Sequence, residues 1–421
     1  MSLSIRTDRR LIRADARSDR YVLARVTAPL STRSRERTPV NVALVLDRSG
    51  SMGGSKIELA RKAVRQALQG LDERDRFALV VYDDRIDVVV ESTHASAEAK
   101  RNALERLDAI DARGSTNLAE GWLRGAEQVA LHQSEQTVGR CLLLTDGLAN
   151  VGITDVAELE RHAGELRRRG VMTSTFGIGA DFDEALLQAM SVAGGGHFYF
   201  IETALQIPDF VVSELEEVLD TVARDVVLEL RTPEGASIEP LSIVTKEGHG
   251  NSTRVILGDL VSGQELDVVL RLSFPSGEVG RRLVAVCSVV DREGVLDRTP
   301  QSVSWEYADP AADAAQPRDR AVDRHVAALH AARAKQEAVR LNRIGDVGRA
   351  SEAIAEVTRH IRDYAGDDPE LNQLLVELES DRGNFAMMME PLALKQQYFA
   401  SSVVGRMRDP KGKARRRQKG R

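Results

Sequence analysis

Apolar and polar positions alternate along this chain in three distinct regimes. From residue 39 to about 203, short apolar runs are separated by longer stretches of helical period. The runs are Val42–Leu46, Phe77–Tyr82, Ile86–Val90, Cys141–Thr145, Val171–Ile178 and His197–Ile201. Between the first two, Ile57, Ala60, Val64, Ala67, Leu68 and Leu71 recur at three- and four-residue spacing, which predicts a helix over Lys56–Leu71. Ala97–Ile110, Leu118–Leu131, Asp155–Arg169 and Asp181–Val192 read the same way. The central runs are apolar almost throughout, as in a parallel sheet covered by helices on both faces. Only the link from Phe77–Tyr82 to Ile86–Val90 is short enough for a hairpin, so Ile86–Val90 is predicted as an antiparallel edge strand. The expected fold over residues 39–206 is α/β, a doubly wound, mostly parallel, Rossmann-like six-stranded sheet.

Outside this region the period changes to two. Leu270, Leu272 and Phe274 alternate with polar neighbours, as do Val303, Trp305 and Tyr307, and Pro233-Glu-Gly235 and Pro275-Ser-Gly277 are turn signals. Residues 226–308 therefore predict an antiparallel β-sandwich. Within residues 1–38, Leu3 and Ile5, then Val22, Ala24 and Val26, mark two strands. Two strands alone are not a stable unit. They are predicted to complete the sandwich, which makes the α/β domain an insertion into a β domain. Residues 207–225 read as a connecting helix. Residues 309–405 read as a linker (309–317) and a helical region, with helices over Arg318–Leu341, Val347–Tyr364 and about Pro369–Met389.

Composition narrows the function classes. Among 421 residues, 42% are apolar but only 4% aromatic, so the core is aliphatic; the net charge is −6. Nine basic residues against Asp409 crowd into residues 406–421, read as a disordered basic tail. It has no interleaved aromatics, so an acidic protein or an anionic surface ranks above nucleic acid as its partner. Cys141 and Cys287 lie in separate apolar runs and read as buried thiols. No apolar run approaches the ~20 residues that span a bilayer. No secretory apolar segment follows the N-terminus. The expectation is a cytoplasmic protein without a membrane span.

Chemistry concentrates where strands end. Asp47-Arg48-Ser49-Gly50-Ser51 follows the run Val42–Leu46 directly. Asp146 follows Cys141–Thr145, and Thr116 lies in Arg113-Gly-Ser-Thr-Asn117 before a helix. In open α/β sheets, ligands bind beyond the carboxyl ends of such strands. An oxygen-only cluster of hydroxyls and carboxylates suits a hard divalent cation. Each piece alone is also an ordinary turn or helix cap; it is their joint occurrence that points to a site. Asp83 and Asp84 at the hairpin tip, and Asn150, are possible rim residues.

With these three pieces in order, residues 39–203 resemble a von Willebrand factor A domain with a complete metal-ion-dependent adhesion site. The resemblance implies that Ser49, Ser51 and Thr116 ligate the cation through hydroxyls. Asp47 and Asp146 would act largely through bound waters and hydrogen bonds to the ligands. Mg²⁺, which favours octahedral oxygen coordination and retains waters, is the expected ion; Mn²⁺ also fits. The flanking β domain resembles bacterial members labelled calcium-activated chloride channel-like, and the inter-alpha-trypsin inhibitor heavy chains. Family membership further implies a bacterial intracellular assembly or signalling complex, with a MoxR-type AAA+ ATPase as one possible partner.

The expected function is divalent-cation-dependent protein–protein interaction, in which a partner donates a Glu or Asp carboxylate to the cation, and not enzymatic activity. A metal-dependent hydrolase is the alternative, with Asp83 or Asp84 as the only general bases in view. A scaffold with a purely structural metal is the other. Gly50-Ser-Met-Gly-Gly-Ser-Lys56 lacks the Gly-Lys-Ser/Thr order of a phosphate loop, and Ser51 lacks the flanking glycines of a nucleophile elbow.

Overall fold

The computed structural model describes residues 2–31, 37–249 and 251–417. It contains two compact units, one made of Met1–Ser31 and Val222–Arg421, the other of Thr32–Thr221. The first is therefore discontinuous in sequence, and the second is inserted into it. The N-terminal segment holds three strands where two were expected: β1 (Leu3–Thr7), β2 (Leu11–Arg13) and β3 (Ser18–Thr27). The short β2 was missed because three residues carry too little alternation to register.

The inserted unit follows in chain order. It runs β4 (Val40–Asp47), α1 (Ser55–Gly70), β5 (Arg76–Tyr82), β6 (Ile86–His94), α2 (Ala97–Asp108), α3 (Leu118–Ala130), β7 (Val138–Thr145), α4 (Val156–Arg168), β8 (Val171–Ile178), α5 (Glu184–Ala193), β9 (Gly195–Ile201) and α6 (Ile207–Leu219). The strand order is β6-β5-β4-β7-β8-β9, parallel except for β6 against β5. Strands β4, β7 and β8 are buried along their whole length, as their unbroken apolar runs require. The chain leaves β4 toward β5 and later returns to β7 on the other side. The crevice between β4 and β7 is thus the topological switch point of the sheet, the usual place for a ligand. Helix α6 is not a connector. Its Ile207, Val211, Leu215 and Val218 share one buried core with Ile57, Val64 and Leu68 of α1.

The other unit resumes with β10 (Thr221–Arg231), β11 (Ser237–Pro240), β12 (Thr245–His249), β13 (Ser252–Val261), β14 (Glu265–Phe274), β15 (Arg282–Val290) and β16 (Gln301–Ala308). Its sheets are β1-β3-β14-β11 and β12-β13-β10-β15-β16-β2, so all three N-terminal strands enter sheets of this unit. Both sheets bury apolar faces in a common core that includes Val22, Val268, Phe274, Cys287 and Trp305. The expected linker contains a short helix, α7 (Pro310–Ala315), capped by Asp309. Then come α8 (Arg320–Arg343), α9 (Val347–Ala365), α10 (Pro369–Phe385) and α11 (Pro391–Gly405). Helix α11 lies inside the helical region expected to end at residue 405, although no separate helix was expected there; it begins at Pro391, and proline in the first turn of a helix is well tolerated. The basic tail is not disordered over residues 406–417. The Glu265 N–H donates to Arg415 O at 2.8 Å, and the Arg417 N–H donates to Gly263 O at 2.9 Å. Met407 is buried in the sandwich core. Residues 418–421 lie outside the described residues.

Candidate metal centre

Register brings the two strand-end carboxylates together. Leu46 of β4 pairs with Leu144 of β7, so Asp47 and Thr145 stand side by side at the carboxyl edge. The Thr145 hydroxyl donates to Asp47 Oδ2 at 2.7 Å, and the Ser49 N–H donates to Asp47 Oδ1 at 2.7 Å. Asp47 is fully buried. Burial pushes its carboxyl up to about 6, against the hydrogen bonds from Ser49 and Thr145, and nearby Asp146 adds to the rise. This is a carboxylate in low dielectric with only neutral donors on it, an environment that favours a nearby cation.

The hydroxyls gather beside it. Ser49 Oγ and Ser51 Oγ are 3.0 Å apart, and the Ser51 hydroxyl donates to Asp146 Oδ1 at 2.7 Å. Asp146 is also fully buried, and its other oxygen, Oδ2, takes the Lys56 ammonium. A methyl carbon placed on Gly147 would lie 3.4 Å from Thr116 Oγ1 and 3.8 Å from Ser51 Oγ, so Thr116 faces the same spot. Asp47, Ser49, Ser51, Thr116 and Asp146 are thus brought into one cluster. Three hydroxyls and two carboxylates, all oxygen, fit a hard divalent cation by the chemistry of the donor set.

Several features position Thr116. The Asn117 side chain caps α3 by accepting from the Glu120 N–H at 3.3 Å. Helix α3 approaches the sheet closely, because alanine at Gly121 or Gly125 would put Cβ 2.4 Å from the Tyr82 ring or 2.2 Å from a Val45 methyl. Gly114, at φ +70, turns the preceding loop where any Cβ would strike Asp84. The Arg113 N–H donates to Arg48 O at 2.6 Å and the Gly50 N–H to Gly114 O at 3.1 Å, which ties this loop to the Asp47–Ser51 segment.

The three rim residues have different environments. Asn150 Oδ1 accepts the Thr116 N–H at 3.2 Å, so Asn150 orients a hydroxyl donor. Asp83 is buried beneath the rim. It accepts from Arg48 Nε at 3.0 Å and Arg113 Nε at 2.8 Å. Burial pushes its carboxyl up, but hydrogen bonds from Arg113, the Arg85 N–H and Arg48 outweigh this and hold it below the usual range. Asp84 is exposed against the Gly114 turn.

Two features escaped sequence reasoning. Lys56 entered it only as the first residue of a predicted helix and as part of a failed phosphate-loop match. Its proximity to Asp146 could have been suspected from its place in the first turn of α1, just after the Ser51 loop. The second is a cluster of His197, Glu214 and Glu217, whose ligand atoms lie within 4.8 Å of one another. His197 Nδ1 meets Glu214 at 3.0 Å, the Tyr199 hydroxyl donates to Glu214 at 2.6 Å, and Ser174 donates to it at 2.5 Å. A fully buried carboxylate so supplied pins α6 to β8 and β9, which gives His197 a structural role.

The von Willebrand factor type A domain family matches residues 41–212. The Escherichia coli K12 protein YfbK is 28% identical over 265 residues, 61% of this chain and 46% of that protein. Human inter-alpha-trypsin inhibitor heavy chain H4 is 31% identical over 182 residues, 41% of this chain and 20% of its own length. The chain thus spans less than half of each of these two relatives. A solved structure described as von Willebrand factor type A from Catenulispora acidiphila has the same fold, with a TM-score of 0.71 at 17% identity, covering 98% of this chain and 97% of that one.

Proposed function

Residues 41–212 form a von Willebrand factor type A domain, and from that premise we propose that the chain is a divalent-cation-dependent protein-interaction module. Domains of this family commonly act as metal-dependent interaction modules and are generally not enzymes. Here Ser49, Ser51 and Thr116 would hold the cation through their hydroxyls. Asp47 and Asp146 would orient those hydroxyls and bound waters. The bound ion, Mg²⁺ with Mn²⁺ as a working substitute, would supply an electrophilic point that a partner's Glu or Asp side chain can complete.

The observation that carries this reading is the gathering of three hydroxyls at the switch point of the sheet: Ser51 Oγ bonded to Asp146, Ser49 Oγ beside Ser51 Oγ, and Thr116 Oγ1 facing the same spot across Gly147. With neutral hydroxyls as its direct ligands the ion would keep an open position that a charged oxygen can fill, which suits carboxylate capture better than tight structural sequestration. The hydrolase alternative needs a general base, and Asp83 is committed to Arg48 and Arg113. Among the described residues no helix is long and apolar enough to cross a membrane. We place the protein in a bacterial cytoplasmic assembly as part of the same proposal, with a MoxR-type AAA+ ATPase as one partner to test.

The experiment is a calorimetric titration of Mn²⁺ into the wild type and the Asp146→Ala variant, followed by acetate into the Mn²⁺-loaded protein. Saturable Mn²⁺ binding lost in the variant, and acetate binding that needs Mn²⁺ and disappears with EDTA, are expected. Equal Mn²⁺ binding by the variant, or acetate binding that survives EDTA, would overturn the reading.

A further inference from the structure

The two oxygens of Asp146 have different partners. Oδ1 accepts the Ser51 hydroxyl at 2.7 Å and so faces the hydroxyl cluster. Oδ2 takes the Lys56 ammonium. An ion among Ser49, Ser51 and Thr116 would approach from the Oδ1 side and would not need to displace the lysine. Lys56 is held in place by its helix, since Ile57 and Ala60 of the same turn are buried in the core. Other basic groups nearby are already matched. Arg48 pairs with Asp83 and Asp87, and Arg113 pairs with Asp83. Among the described residues, Lys56 is the basic side chain in direct contact with Asp146.

We propose that Lys56 is a fixed charge partner of Asp146 that weakens metal binding and, in the metal-loaded protein, strengthens capture of an incoming carboxylate. This rests on the metal-site reading above. The charge count gives the reason. Asp47 and Asp146 bring two negative charges, and alone they would neutralise a divalent ion. With Lys56 present, the loaded site keeps one net positive charge. Fully buried carboxylates feel this charge strongly, because little water screens it. The partner's acidic side chain then meets a net cation in place of a neutral centre. Lys56 is thus a positioning and tuning residue, and need not touch the ion.

The test compares wild type, Lys56→Gln, Lys56→Met and Lys56→Arg, each checked by circular dichroism. Mn²⁺ affinity is measured by calorimetry, and acetate affinity on the Mn²⁺-saturated protein by water-proton relaxation. The neutral variants should bind Mn²⁺ roughly tenfold more tightly and acetate several-fold more weakly, as expected when one unit charge is removed beside the ion. Lys56→Arg should stay within about twofold of wild type in both, because it keeps the charge. Unchanged or weaker Mn²⁺ binding in folded neutral variants would overturn the proposal. Should both neutral variants unfold, Lys56→Arg decides, and a tenfold loss of either affinity overturns it. A wild type that takes no Mn²⁺ sinks the metal-site reading itself. A wild type that binds Mn²⁺ beside neutral variants no tighter sinks only the role of Lys56.

Discussion

Gly121→Ala and Gly164→Ala are the same chemical change on two helices of the α/β unit, and they should act with opposite sign. At Gly121 the new Cβ would sit 2.4, 2.6 and 2.7 Å from Cγ, Cδ1 and Cβ of Tyr82. Carbon atoms pack at about 3.5–4.0 Å, so α3 or the ring must move by about 1 Å. The ring has little room, because Tyr82 is fully buried and its hydroxyl donates to Leu144 O at 3.2 Å. Overpacking of this kind costs about 1–3 kcal/mol, and the helix-propensity gain returns about 1 kcal/mol. With a rigid obstacle the upper part of the range applies, which leaves a net loss of about 2 kcal/mol. For a unit of this size that lowers Tm by roughly 4–8 °C. At Gly164 on α4 nothing lies within 4 Å of the added carbon. Only the propensity gain remains there, about 0.5–1 kcal/mol of stabilisation. The consequence reaches the site, because Thr116 precedes the first turn of α3. Mn²⁺ affinity should fall in Gly121→Ala and stay unchanged in Gly164→Ala. Thermal melts and Mn²⁺ titrations of both variants check this. A Gly121→Ala protein as stable as wild type, or one that melts lower but binds Mn²⁺ normally, would refute the claim that this close approach sets the height of the Thr116 loop.

Asn150→Ala removes the acceptor for the Thr116 N–H; it should weaken Mn²⁺ binding about fivefold, near 1 kcal/mol for one part-buried hydrogen bond, with little change in Tm. Asp83→Ala removes the buried carboxylate that Arg48 and Arg113 share and leaves them only the half-exposed Asp87; urea unfolding should show a loss of about 1.5–3 kcal/mol, the worth of a hydrogen bond to a charged group, whereas a merely solvated rim aspartate would cost almost nothing. His330 gives a pH dependence in the other unit: burial, with His360, Arg333 and Arg271 nearby, pushes its imidazole down to about 4. A base whose folded pKa is depressed binds protons more readily when unfolded, so stability falls as pH drops from about 6.5 toward 4 and levels off below. Full coupling would amount to roughly 3 kcal/mol; urea titrations at pH 7 and pH 4.5 should show a drop that is smaller by about 2–3 kcal/mol in His330→Gln, and equal drops would refute it.

The α/β insertion was legible because its information is local and redundant. Val42–Leu46 and Cys141–Thr145 are unbroken apolar runs, and only a buried parallel strand satisfies such a run between amphipathic helices. The sandwich was legible from Leu270, Leu272 and Phe274, whose alternation marks one buried face. The missed elements failed for specific physical reasons. Three-residue β2 pairs Leu11 with Glu306 and Ile12 with Tyr307; its existence is decided by a partner almost three hundred residues away. Helix α6 looked like a connector because amphipathicity says that one face is buried, but not against what. The tail at 406–417 is held by main-chain bonds from Glu265 and to Gly263, which side-chain charge does not encode.

The same distinction applies within the site. Asp47, Ser49, Ser51, Thr116 and Asp146 could be named from the sequence because strand ends in a parallel sheet share one edge, and oxygen chemistry selects among the residues there. What no spacing argument could supply is the electrostatic balance around them. Asp83 and Asp146 are both aspartates at strand ends, both fully buried, and both paired with basic side chains. Yet Asp83 accepts from two arginines, while Asp146 divides its oxygens between a lysine and a serine hydroxyl. A carboxylate saturated by guanidinium groups is a brace for the loops. One that still presents an oxygen to a hydroxyl cluster remains able to act on an ion. The functional difference between two identical residue types therefore lies in which side chains fold against them, and Lys56 is the side chain whose replacement tests that difference most directly.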